Sequence, residues 1–165
     1  MAKITIIYGS TMGNTQGAAE SISSALSAHE VKLLEVSNAS KEDFEDAEVL
    51  LLGSSTWGLG DLQDDWEGAI STLESANLSG KKVALFGCGD ADSYCDTFVD
   101  AMGIIHQAAL EAGATLIGKT STAGYSHSAS RAEVDGEFVG LALSDSDSDN
   151  DDKIVAWCES LNSQL

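Results

Sequence analysis

Apolar residues along this chain follow two spacings that alternate from one end to the other. Short continuous runs at Ile4–Tyr8, Val31–Val36, Ala47–Leu52 and Val83–Phe86 are bounded by Gly, Ser or charged residues and read as strands buried on both faces. Between them, apolar positions recur at three and four residues: Ala18, Ala19, Ile22, Ala25 and Leu26 form one stripe, and Trp66, Ile70 and Leu73 another. Phe98, Met102, Ile105, Ala109 and Leu110 form a third, ended by Gly113, and Ile154, Trp157, Cys158 and Leu161 a fourth. The charged stretch Lys41–Asp46 has room for a helical turn. A fifth strand is expected in two pieces, Thr115–Lys119 and Phe138–Leu143, separated by a loop of about a hairpin's length with no pattern of its own.

Alternation of this kind predicts an α/β fold: a five-stranded parallel sheet covered by helices on both faces, in three layers. Such sheets bind ligands at the carboxyl ends of their strands, where neighbouring connections leave in opposite directions. Three loops leave from such ends, Gly9–Thr15, Ser54–Asp61 and Gly87–Tyr94. The first, in YGSTMGNT, reads as strand, hydroxyl-rich turn and helix N-terminus. Unpaired N–H groups and the positive end of the helix dipole meet there, with the hydroxyls of Ser10, Thr11 and Thr15 around them, which makes a phosphate site. It has no Lys followed by Ser or Thr and no GxGxxG, so neither a triphosphate P-loop nor a dinucleotide fingerprint is present. The other two loops each carry one large aromatic, Trp57 and Tyr94, beside glycines that let backbone approach a ligand closely. A flat ring between two aromatics is the natural guest.

With 165 residues and 43% apolar content, one core and one domain, 1–165, are expected. Eight basic against 27 acidic residues give a formal charge of −19, which argues against nucleic acid and anionic membrane and for a basic protein partner. No leader pattern is visible, and no apolar run approaches the roughly 20 residues of a spanning helix, so a cytoplasmic protein is expected. Cys88, Cys95 and Cys158 lack metal-ligand spacing and read as reduced structural thiols. His29, His106 and His127 have no mutual spacing suited to a metal and are assigned to surface or loop positions. In the acidic run Ser144–Asp152, an EF-hand loop counted from Asp145 would need Gly at Asn150 and Glu at Ala156. A solvated loop capping the last helix is the better account.

The three loops together resemble the flavodoxin family of FMN-carrying electron-transfer proteins, and the resemblance runs along essentially the whole chain. That family is itself the standard example of strand order 2-1-3-4-5 with FMN at the switch point. Its phosphate loop has the form S/T-x-T-G-x-T, on which Ser10, Met12, Gly13 and Thr15 fall, with Thr11 and Asn14 between them. Met12 departs from the pattern; it removes one hydroxyl, at about 1 kcal/mol of binding, and keeps its backbone N–H. Trp57, after Ser55 and Thr56, matches the residue that stacks on the inner flavin face. Tyr94, in the loop that holds Cys88, Gly89 and Asp90, matches the outer one. Relatives often have Pro where Ser55 stands. The split fifth strand matches the long-chain subgroup, whose insertion is thought to concern partners rather than the flavin.

The resemblance implies a non-enzymatic, monomeric, low-potential one-electron carrier working mainly between the semiquinone and hydroquinone of non-covalently bound FMN. After the semiquinone takes a proton on N5, the peptide following the Trp turns its carbonyl toward that N–H. Gly58, in the stretch Gly58-Leu59-Gly60, suits that turn because positive φ carries no Cβ penalty. Asp61, Asp64, Asp65 and Glu67 by one ring loop, and Asp90, Asp92, Asp96 and Asp100 by the other, should lower the second potential by repulsion of roughly 1 kcal/mol per nearby charge. Lys3, Lys32, Lys81 and Lys82 fall near strand starts, at the opposite end. The partners implied are a ferredoxin-NADP-type reductase as donor, and nitrogenase, pyruvate oxidoreductase or a radical enzyme as acceptor. The alternative on this fold is an FMN-dependent quinone or nitro reductase, which needs an open pocket over the ring; Tyr94 and the acidic rim argue against it. A receiver domain would need acidic residues after the first strand, and a low-molecular-weight phosphatase a Cys in that loop. Neither is present.

Overall fold

The computed structural model describes residues 3–9, 14–57, 61–62, 64–89, 99–122, 130–144 and 150–165, with backbone alone at 14, 56, 57, 61, 62 and 64. In chain order these form β1 (Lys3–Gly9), α1 (Asn14–Ala25), β2 (Glu30–Glu35), α2 (Lys41–Asp46), β3 (Val49–Trp57), β4 (Asp61–Leu62), α3 (Asp64–Ser75) and β5 (Lys82–Gly89). They continue with α4 (Asp100–Glu111), β6 (Thr115–Ile117), β7 (Thr120–Ser121), β8 (Glu133–Val134), β9 (Glu137–Phe138), β10 (Leu141–Ser144) and α5 (Asn150–Gln164). The main strands lie side by side as β2-β1-β3-β5-β10, all parallel, with β6 pairing the start of β5 beside β10. Counting β6 and β10 as the two pieces of one strand, this is the expected order 2-1-3-4-5.

Strand alternation sorts the core into two layers. Ile4, Ile6, Val49, Leu51, Ala84 and Phe86 pack with Ala18, Ala19 and Ile22 of α1 and with Ile154, Trp157 and Leu161 of α5. Ile7, Leu50, Leu52, Val83 and Leu85 face the other way, onto Phe44 of α2, Trp66 and Leu73 of α3, and Met102 and Ile105 of α4. Ala25 and Leu110, placed in apolar stripes by periodicity, are exposed instead. Each adjoins a buried member of its stripe, Leu26 or Ala109, and about 100° of helical rotation between neighbours turns it away from the sheet.

Two strands run further than their apolar runs. Gly53 does not end β3. It is paired with Phe86, and a Cβ there would lie 2.2 Å from the Phe86 ring, so the glycine makes room for that ring across the strand. Likewise Gly87, Cys88 and Gly89, read as loop, are the last rungs of β5. The expected strand Phe138–Leu143 is broken: Phe138 ends β9, and β10 begins at Leu141. Gly140 lies between them against the Leu85 carbonyl, where a Cβ has no space.

Among the described residues, the insertion holds strands that its sequence reading did not expect. β8 and β9 form a hairpin around Asp135-Gly136, whose φ values of 55° and 82° are those of a type I′ turn, and β7 pairs with β9 to complete a three-stranded antiparallel sheet. Asp-Gly between two short extended segments was the available sequence signal.

Candidate functional site

The register brings three strand ends into one row. Gly9 of β1 pairs with Ser54 of β3, and Ser54 with Gly87 of β5, so the segments that follow all leave from adjacent positions at the carboxyl edge. The connection after β1 enters α1 on one face of the sheet, whereas those after β3 and β5 lead to α3 and α4 on the other. The gap between β1 and β3 is therefore the switch point of the sheet, the place where this architecture leaves a crevice.

Of the phosphate-loop residues, Ser10, Thr11, Met12 and Gly13 lie outside the described residues. Asn14 opens α1, and Thr15 follows it with its side chain fully buried. Thr15 Oγ1 is 2.8 Å from the hydroxyl of Ser55 in β3. Ser54, also buried, donates its hydroxyl to the Ser55 carbonyl at 2.8 Å. Two of the sites predicted separately, Thr15 and Ser55, are thus in direct contact.

The ring segment after β3 is partly a strand rather than the loop expected through Asp61. Thr56 and Trp57 close β3, and β4 returns antiparallel, with Thr56 opposite Leu62 and Trp57 opposite Asp61. Gly58, Leu59 and Gly60 lie outside the described residues. Where α3 begins, Trp66 is buried and its indole Nε1 donates to the Gly53 carbonyl at 2.7 Å, tying the far side of the segment back to β3.

At the third strand end, Cys88 is buried in β5 opposite Ser55, and Gly89 is the last strand residue. Asp90 and Tyr94 lie outside the described residues, as do Asp92, Asp96, Cys95, His127 and the acidic positions 145–149. After that segment, Asn150 opens α5 and donates its side-chain amide to the Ser144 carbonyl at 3.0 Å.

One member of the acidic rim is elsewhere. Asp100 is buried at the start of α4 and accepts the Arg131 backbone N–H at 2.7 Å, holding the insertion against the helix. Burial pushes its carboxyl above the usual range, against the opposing effect of Arg131. It is therefore an internal tie rather than a surface charge. Asp65 and Glu67 are exposed on α3 as expected. At the other end of the sheet, Lys81 Nζ donates to the Ala47 carbonyl and Lys82 Nζ to the Gln164 carbonyl, while Lys32 pairs with Asp43 at 3.1 Å. His106 is partly buried within α4 rather than on a loop, and burial lowers its pKa. The buried thiol of Cys158 is pushed up to about 11, as fits a structural residue. No helix among the described residues is long and apolar enough to cross a membrane.

The donors at this edge are hydroxyls and backbone groups without a described cation, a set suited to a phosphate ester held by neutral donors. Comparison with known proteins points the same way. The family model described as flavodoxin matches residues 6–157. The chain is similar to the flavodoxin of Trichodesmium erythraeum, 41% identical with 100% of this chain and 99% of that protein covered. It is also similar to the flavodoxin of Klebsiella pneumoniae, 43% identical over 87% of this chain and 82% of that one. Among solved structures, a Fusobacterium nucleatum flavodoxin bound to flavin mononucleotide superposes with a TM-score of 0.94 at 26% identity, covering 100% of this chain and 99% of that one.

Proposed function

The chain belongs to the flavodoxin family, whose members are electron-transfer proteins, and from that premise we propose that it is a low-potential one-electron carrier working mainly between the semiquinone and hydroquinone of non-covalently bound FMN. The observation that carries this reading is the row Gly9–Ser54–Gly87 at the switch point, from which the phosphate segment and both aromatic segments leave side by side. Bound FMN supplies the ability to take up electrons singly; the chain supplies position and charge.

In this reading the N-terminal turn of α1, with Ser10, Thr11, Met12, Gly13, Asn14 and Thr15, holds the phosphate. The backbone and side chains of Ser55 to Gly60 and of Cys88 to Asp90 border the ring, with Trp57 on its inner face and Tyr94 on its outer face. Gly58 provides the peptide that turns toward N5. Exposed Asp65 and Glu67, with Asp61, Asp64, Asp90, Asp92 and Asp96, disfavour added negative charge on the ring and attract basic partners. The lysines near the starts of β1, β2 and β5 keep positive charge away from that rim. We place the protein in the cytoplasm as a single-domain monomer exchanging electrons with a ferredoxin-NADP-type reductase as donor, and with nitrogenase, pyruvate oxidoreductase or a radical enzyme as acceptor.

The test is NAD(P)H oxidation with a quinone acceptor. A carrier gives no turnover alone and supports electron flow once a ferredoxin-NADP-type reductase is added; turnover without reductase would assign the chain to the quinone-reductase class instead.

A further inference from the structure

The contact between Thr15 and Ser55 joins residues 40 positions apart, one in the first turn of α1 and the other two residues before Trp57. A hydroxyl has one proton to donate and lone pairs to accept with. Within the pair one oxygen donates and the other accepts, which leaves the acceptor's proton for another partner. A phosphate oxygen can only accept. An anion at the start of α1 therefore selects one arrangement, in which Thr15 donates to the anion and Ser55 donates to Thr15. That choice fixes the Ser55 side chain, and the Ser55 carbonyl is already held by the Ser54 hydroxyl at 2.8 Å. Hydrogen bonds in series polarise one another, so each contact strengthens the next.

Resting on the FMN-binding reading above, we propose that the Thr15–Ser55 hydroxyl pair couples the phosphate end of the site to its ring end. Ser55 is a positioning residue that acts through Thr15: phosphate at α1 orders the end of β3 and tightens binding of the isoalloxazine ring. By reciprocity, ring binding tightens phosphate by the same factor. A Pro at position 55 has no hydroxyl and cannot make this connection.

The experiment titrates apoprotein with riboflavin, which has the ring and lacks the phosphate. It is done with saturating inorganic phosphate and with sodium chloride at equal ionic strength. Wild type should bind riboflavin about fivefold tighter with phosphate, the low end of coupling between sites. Ser55→Ala should abolish that factor, and Ser55→Thr, which keeps a hydroxyl, should retain it. An equal factor in wild type and Ser55→Ala, or no factor in wild type, overturns the proposal. Circular dichroism checks folding; should Ser55→Ala not fold, Ser55→Cys, of similar size and a weak donor, takes its place. FMN titration of wild type runs alongside. Absence of FMN binding sinks the functional reading, whereas FMN binding without Ser55-dependent coupling sinks this inference alone.

Discussion

The indole nitrogen of Trp66 donates to the carbonyl of Gly53 across 2.7 Å of buried space, and the two residues lie on either side of the ring segment. One hydrogen bond thus anchors the start of α3 to β3 where that segment departs. Trp66 also packs against Phe44, with ring centroids 6.3 Å apart. Trp66→Phe should lower stability by about 2 kcal/mol, combining a lost buried donor with a smaller side chain. Urea unfolding of the apoprotein measures it; an unchanged midpoint would contradict the anchoring role.

Gly53 and Phe86 share one space. Gly53→Ala would place a methyl 2.2 Å from the Phe86 ring, which is itself held edge-on by Trp157. A loss of about 2 kcal/mol is expected, because the ring has to leave its packed position. In Phe86→Leu the same glycine substitution should cost markedly less, since the two changes then compensate. Additive losses in the double-mutant cycle would show that the ring is not what excludes the methyl.

Asp43 supports α2 through a capping box. The Ser40 N–H and hydroxyl donate to Oδ2 at 2.8 and 3.1 Å, and Lys32 Nζ lies 3.1 Å from Oδ1. The Ser40 N–H first, then the Lys32 and Ser40 side chains, hold its carboxyl below the ordinary 3.8, with burial opposing. A depressed folded-state pKa gives stability that is present above the unfolded value and lost as pH falls through the folded one. Asp43→Ala should therefore cost about 1 kcal/mol at neutral pH and progressively less as the medium is acidified below 3.8. A difference that stays constant across that range would mean the carboxylate charge is irrelevant.

Gly58 carries the proposed peptide turn. Gly58→Val would set a β-branched side chain against the positive φ that the proposed turn requires, at about 1 kcal/mol or more, and should reduce the semiquinone equilibrium constant roughly fivefold. Potentiometric titration of wild type and variant reads this directly. Equal semiquinone maxima would remove Gly58 from the account.

The sheet was legible in the sequence because buried parallel strands need continuous apolar runs, and Ile4–Tyr8 and Val83–Phe86 supply them. Their carboxyl ends were less so. The rungs Ser54–Thr56 and Gly87–Gly89 are small or polar, resembling loops, yet they continue the strands where the site begins. The acidic rim also wrongly included Asp100, whose charge reads as surface until the Arg131 backbone is seen against it. The Thr15–Ser55 contact has no local signature at all, since it is created by the crossover that brings α1 over β3. The Asp135-Gly136 hairpin did carry a local signal, Asp-Gly between two short extended segments, but the weak pattern of the surrounding stretch made it read as plain loop.

In the function proposed, this edge of the sheet holds FMN and divides its reduction into single electrons. Apoprotein reconstituted with FMN and reduced photochemically under argon, with spectra recorded throughout, tests it most directly. The expected outcome is a flavin spectrum at one FMN per chain, then accumulation of a blue neutral semiquinone, and slower bleaching to the hydroquinone. Failure to retain FMN, or bleaching in a single step without a blue intermediate, would contradict it.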